Sequence, residues 1–189
     1  MTPLTAAQPV FFYDLGDPDC YLVAERIMSE LGVVPEWEPV LGSRLGLTSD
    51  AEPDRARIEA RARELGLQPL RWPRDWPPDS TTAMLAATYA KQIGRAVAFS
   101  LAAFRQAFAG GRELSDESTV LIAAAACEMH PNAILKGITM RSVTNALQKA
   151  AERARAAGAD ALPAITVAGE LFEGPECIEL AQAAIGAAL

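Results

Sequence analysis

Residues 10–31 read VFFYDLGDPDCYLVAERIMSEL, and this stretch decides the fold. Val10-Phe11-Phe12-Tyr13 is an apolar run of β-branched and aromatic residues, which predicts a short buried strand over about 10–15. Gly16 breaks the run. Asp17 then supplies an N-cap carboxylate, and Pro18 sits at a first helical position that needs no N–H. Leu22, Ile27, Met28 and Leu31 recur at roughly helical spacing, predicting a helix over about 18–31 that Gly32 ends. A buried strand thus feeds directly into a capped helix whose first turn carries Cys20. A thiol there meets unpaired backbone N–H groups and the positive end of the helix dipole.

Working outward, Val34–Leu41 predicts a second strand, which Pro35 and Pro39 restrict to a short or edge pairing. Strand, helix and strand make a right-handed βαβ unit with parallel strands. At the other end of the chain, Leu162–Val167 reads as a strand, Ala168-Gly169 as a two-residue turn and Glu170–Phe172 as the returning strand. Gly174-Pro175-Glu176 opens a closing helix with Ile178, Leu180, Ala181, Ala184 and Ile185 as its apolar face. The middle of the chain is helical. Residues 42–53 read as a loop and Glu52–Leu65 as a charged helix closed by Gly66. LQPLRWPRDWPPDS (67–80) carries four prolines and two tryptophans, so no regular element survives there. Ser80-Thr81-Thr82 caps a region striped by Leu85, Tyr89, Ile93, Val97, Leu101, Phe104 and Phe108, one long helix or two joined near Gly94. Ser115 caps a helix over about 116–128, Met129–Asn132 forms a turn, and Ile138–Ala157 is a further amphipathic helix. Residues 1–9 are a polar lead-in.

The composition narrows the function classes. A chain of 189 residues suits one domain and needs no covalent staples. The net charge of −7 argues against nucleic acid and against an anionic membrane surface. Three cysteines (Cys20, Cys127 and Cys177) do not form a disulfide framework. MTPLTAAQPV has no Lys or Arg and no long apolar core, so no secretory signal is expected, and the longest apolar run, Val120–Cys127, is too short to span a bilayer. A cytoplasmic, reducing compartment is expected. With a single histidine, His130, in a turn, neither a metal set nor a Ser-His-Asp triad is expected.

βαβ, a helical block, then ββα is the thioredoxin arrangement with an insertion. FFYDLGDPDCYLVAERI resembles the active-site segment of DsbA-like thioredoxin-fold proteins, in which a strand leads into Cys-Pro-x-Cys-Tyr at a helix start, and LPAITVAGELFEG resembles their second signature, a cis-proline followed by a hairpin. The Trp- and Pro-rich loop is similar to that of the 2-hydroxychromene-2-carboxylate isomerase and kappa-class glutathione transferase branch. The resemblance implies an α/β thioredoxin fold in a single domain: a core over about 8–42 and 159–189, and an all-helical insertion over about 50–158. It implies an oxidoreductase or isomerase that uses glutathione or another low-molecular-weight thiol, alone or with an aromatic substrate. A homodimer is a further expectation. A non-catalytic thioredoxin-fold binder is the alternative.

The same resemblance points to particular residues. Asp17 stands where redox members have their leading cysteine and where the isomerase and transferase members usually have serine. Cys20 holds the resolving-cysteine position, Pro18 fits both branches, and Glu176 matches the acid that holds the glutathione amine. Pro163 matches the cis-proline, and Leu162 before it would pair its backbone with an extended ligand. Asp17 is either only an N-cap or a carboxylate facing the ligand, and it cannot replace a sulfur nucleophile. Cys20 is either a partly buried filler with little thiolate or a site of mixed-disulfide formation. Trp72 and Trp76 either wall an apolar pocket or staple their loop to the core. Arg44, Arg71 and Arg74 either meet a carboxylate substrate or are solvated loop residues, and Cys127 is read as core.

Overall fold

The computed structural model describes residues 8–47 and 52–187; the first residues of the lead-in and part of the 42–53 loop lie outside them. The strand at the centre of the sheet is β1 (Val10–Tyr13), and α1 (Pro18–Glu30) follows it. β2 (Glu36–Pro39) returns parallel to β1, with Phe11 opposite Trp37. β3 (Ala164–Val167) runs antiparallel on the other side of β1, with Phe11 opposite Ile165, and β4 (Glu170–Glu173) completes the hairpin. The order is β2-β1-β3-β4. β2 is an edge strand, the position its prolines allow.

β1 is buried on both faces, and the alternation of its side chains separates two cores. Phe11 and Tyr13 join the larger one with Trp37, Ile165 and the apolar side of α1. Val10 and Phe12 join a smaller one with Val40, Ala164 and Ala150, Ala151 and Ala154 of α8 (Arg141–Ala156). The short alanines let α8 approach that face closely. The closing helix, α9 (Cys177–Ala187), sends Cys177, Ile178 and Ala181 into the larger core; Leu180, read as part of its apolar face, is instead 49% exposed.

Between β2 and β3 lie α2 (Gly42–Leu45), α3 (Arg55–Glu64), α4 (Thr81–Gln92), α5 (Ala96–Phe108), α6 (Glu117–Ala126), α7 (Pro131–Ile138) and α8. Several local expectations are corrected. Residues 42–45 form a helical turn rather than loop. Of the two alternatives for the striped region, the second is the one that forms: it is two helices, because Gly94 adopts a positive φ of 74° that ends α4. Asp116, not Ser115, caps α6, accepting from the N–H of Ser118. His130 and Pro131 are the cap and first residue of α7 rather than a turn between helices, and α8 begins at Arg141 rather than at Ile138. The His130 ring accepts from the Asn132 N–H, a capping role rarely expected of histidine.

Polar ties fasten the helices to the sheet. The Tyr13 hydroxyl meets Ser100 Oγ of α5 at 2.6 Å in the buried core. Lys91 of α4 and Arg153 of α8 both hold Glu36 and Glu38 of β2. Arg105 of α5 clasps Glu25 of α1 through two hydrogen bonds of 2.7 Å. Among the described residues no helix is long and apolar enough to cross a membrane.

Where α7 crosses α4, Gly137 lies under the ring of Tyr89. A Cβ on Gly137 would sit 2.5–2.8 Å from three ring carbons. Helix propensity favours Gly137→Ala by about 1 kcal/mol, but overpacking of a ring that cannot simply swing away costs about 1–3 kcal/mol. The variant is expected to be less stable than the parent in urea denaturation; equal or greater stability would show that the ring yields.

Candidate functional site

The chain leaves β1 through Asp14-Leu15-Gly16, and this short turn builds the site. Asp14 is 8% exposed. Its Oδ1 accepts from the Gly16 N–H at 2.8 Å and from the Ser80 hydroxyl at 2.6 Å, and its Oδ2 accepts from the Gly42 N–H at 2.7 Å. One carboxylate therefore joins the start of α1, the start of α2 and the start of α4. Ser80 begins α4, but its hydroxyl goes to Asp14 and does not cap the helix; Asp79 accepts from the Thr81 N–H instead. The glycines are needed for closeness. A Cβ on Gly42 would lie 3.3 Å from Asp14 Oδ2, and one on Gly16 would lie 3.3 Å from the Pro78 carbonyl oxygen and from Ser80 Cβ.

Above this junction lies a half-open cavity of about 890 Å³. Asp17 and Pro18 of α1 line it, as do Leu162, Leu41 and the Trp76-Pro77-Pro78 segment. The Leu162–Pro163 and Trp76–Pro77 peptides are both cis. Asp17-Pro18 and Leu162, far apart in sequence, thus line one cavity. Asp14, Asp19, Glu52, Asp79 and Asp160 also contribute to its wall.

Asp17 caps α1 and also lines the cavity. Its Oδ1 accepts from the Cys20 N–H at 2.8 Å. Burial raises its carboxyl to about 7, against the pull of that N–H and with the help of the Asp19 and Asp14 carboxylates. Burial also raises Asp14, although three hydrogen bonds oppose it. Cys20 is fully buried, deeper than the partial burial expected from sequence, and is absent from the cavity wall. Burial first, and the Asp17 carboxylate second, push its thiol well above its ordinary value. Burial likewise pushes the Cys177 thiol up to about 12, and all three cysteines are free and buried.

The remaining expected residues divide. Trp76 lines the cavity, whereas Trp72 staples the loop: its indole N–H donates to Glu59 at 2.7 Å and its ring packs edge-on against Trp76 and Phe108. Pro163 stands next to the lining rather than in it. Glu176 is exposed just before α9 and is not part of the cavity lining. Arg44 donates to Gln148, and Arg71 and Arg74 are exposed. Sequence reasoning missed Asp14, Asp79 and Asp160. Only Asp14 left a local signal: an acid closing a buried strand, two residues before a glycine, is placed for a side-chain turn. Among the described residues no group of three or more His, Cys, Asp or Glu is arranged to hold a metal ion.

Comparison with known proteins bears on the fold. A family model described as the DSBA-like thioredoxin domain matches residues 48–186, a span that begins after the Asp17–Cys20 turn. A comparison with curated proteins finds no significant match. Among solved structures, a 2-hydroxychromene-2-carboxylate isomerase is 17% identical with a TM-score of 0.84, over 95% of each chain. A probable DsbA oxidoreductase from Streptomyces coelicolor is 17% identical with a TM-score of 0.77, over 96% of this chain and 89% of that one. The cytosolic disulfide reductase DsbM from Pseudomonas aeruginosa, with GSH, is 13% identical with a TM-score of 0.65, over 96% of this chain and 98% of that one. At these identities the likeness carries the fold alone.

Two outcomes follow from the site's geometry. Asp14→Ala strands two backbone N–H groups and a buried hydroxyl, and is expected to lower stability by about 3 kcal/mol in urea denaturation, with Asp14→Asn in between. For Asp17 the folded carboxyl is raised to about 7 from an ordinary 3.8, so between those values the unfolded chain releases a proton that the folded chain keeps. That group's contribution therefore falls as pH rises through the window. Asp17→Asn keeps a capping oxygen without the charge, so its melting temperature should gain on the parent's as pH rises from about 4 to about 7. Parallel curves would show that the carboxyl is not perturbed.

Proposed function

The chain belongs to the DSBA-like thioredoxin domain family, and on that footing we propose that it binds or uses a small thiol, such as glutathione, in the cavity at the Asp17 turn rather than cycling a dithiol. The observation that carries the reading is the separation of Cys20 from the cavity that Asp17, Pro18 and Leu162 line together. Dithiol exchange needs an accessible thiolate and a second sulfur beside it. Here the turn holds one cysteine, fully buried, its proton held by burial and by Asp17. A ligand in the cavity meets the Asp17 carboxyl and the backbone of Leu162, where an extended thiol peptide pairs as a short added strand. A reducing, cytoplasmic compartment and a homodimer belong to the same reading.

A second reading within the family is isomerase or kappa-like transferase chemistry on an aromatic substrate. Asp17 favours it: a carboxyl near 7 at a cavity wall gives and takes protons at neutral pH. Trp76 and Leu162 offer the apolar wall such a substrate needs. Loss of both activities with retained binding leaves the non-catalytic binder.

Reduced glutathione is expected to bind saturably in calorimetry, and more weakly as pH rises through about 7, because ionised Asp17 repels an anionic ligand. Oxidised glutathione should leave no adduct on Cys20 of the folded protein by intact mass. Rapid modification of Cys20 would sink the argument from burial. For the isomerase reading, an aromatic pyruvate is turned over with and without glutathione; Asp17→Asn should lose about a hundredfold if the carboxyl moves the proton, and unchanged turnover removes it from the mechanism.

A further inference from the structure

The cavity is lined by charge of one sign. Among the described residues its wall takes Asp14, Asp17, Asp19, Glu52, Asp79 and Asp160, and no Lys, Arg or His. Two of the six are paired with arginines that lie outside the lining: Asp19 with Arg57 at 2.7 Å and Glu52 with Arg55 at 2.9 Å. Asp14 is held by uncharged donors only. The salt bridges of the described residues reach none of Asp17, Asp79 and Asp160.

Glu52, Asp79 and Asp160 are exposed at this concave site, and Asp79 also accepts from the Thr81 N–H. The same cavity is lined by Leu41, Trp76, Pro77, Pro78 and Leu162. Apolar walls beside charge focus its field into the cavity and raise the local concentration of the opposite sign. Trp76 adds an aromatic side chain to the lining, and aromatic rings attract cations for a separate reason. The N-terminus of α1, the natural anion site of such a groove, is already spent on Asp17, which takes the Cys20 N–H. The groove itself marks the site; the carboxylates decide what enters it. Glutathione, with two carboxylates and one ammonium, suits this wall less well than a thiol without carboxylates.

Resting on the small-thiol reading above, we propose that among small thiols and disulfides the cavity favours, over glutathione, a cationic one that presents an ammonium group and no carboxylate. The affinity of a permanently cationic ligand should rise as pH passes through about 7, because Asp17 then adds its charge. This is opposite in sign to the dependence expected for glutathione.

The test is calorimetry on the full chain at low ionic strength with five probes. These are thiocholine, its thiol-free relative choline, neutral mercaptoethanol, anionic mercaptopropionate and reduced glutathione. Thiocholine should bind at least about tenfold tighter than mercaptoethanol, a modest demand for unit charges a few ångströms apart near a protein surface. Mercaptopropionate and glutathione should bind more weakly than mercaptoethanol, and added salt should narrow the differences. Asp79 and Asp160 are exposed, so the double variant Asp79→Asn/Asp160→Asn is expected to fold, and it should weaken thiocholine several-fold while leaving mercaptoethanol unchanged. The inference is overturned if mercaptopropionate or mercaptoethanol binds as tightly as thiocholine, or if neither cation binds. If choline matches thiocholine and no neutral thiol binds, the charge selection stands and the small-thiol reading fails.

Discussion

The Asp14 carboxylate is the constraint on which the rest of the site depends. A carboxylate removed from water persists only when its oxygens are filled with donors. Here the donors come from three separate segments: Gly16 before α1, Gly42 at the start of α2 and Ser80 at the start of α4. Satisfying one buried group therefore fixes where the end of β1, the exit from β2 and the proline-rich loop meet. That meeting point is the floor of the cavity. The requirement propagates to residues that carry no chemistry of their own. Gly16 and Gly42 are small because the junction closes to about van der Waals contact around them, and Ser80 gives up the capping role its position suggests.

The same packing sets the electrostatics. The N-terminus of α1 would ordinarily lower a thiol's proton affinity and welcome an anion. In this chain Asp17 answers the Cys20 N–H, while Cys20 is fully buried within the larger apolar core. Desolvation outweighs the dipole for both groups, so the turn holds protons rather than releasing them. Its chemistry is that of a carboxyl near neutrality, not of a reactive sulfur. The acidic wall of the cavity follows the same sign.

Much of the fold was legible because its signals are local. The apolar run of β1, the Asp17-Pro18 start, the Ala168-Gly169 turn and the glycine that ends α4 each act through their own backbone. The errors fell where a local signal was overruled from a distance. Ser80 looks like a cap and serves Asp14; His130-Pro131 looks like a turn and starts a helix that lies on α4, with Gly137 beneath Tyr89. Glu176, matched by motif alone, is exposed and outside the cavity lining, and Trp72 and Trp76, indistinguishable in sequence, take different jobs.

By itself the sequence determined the order of the four strands with α1 and α9, the thioredoxin arrangement and the lack of a second sulfur in the Asp17–Cys20 turn. These follow from residue type and spacing along one strand of chain. Only the tertiary structure decided that Cys20 is sealed, that Asp17 reaches the cavity with its proton held to about 7, and that Asp79 and Asp160 share its wall. Desolvation and field strength are set by atoms contributed from distant segments, and no local pattern encodes them.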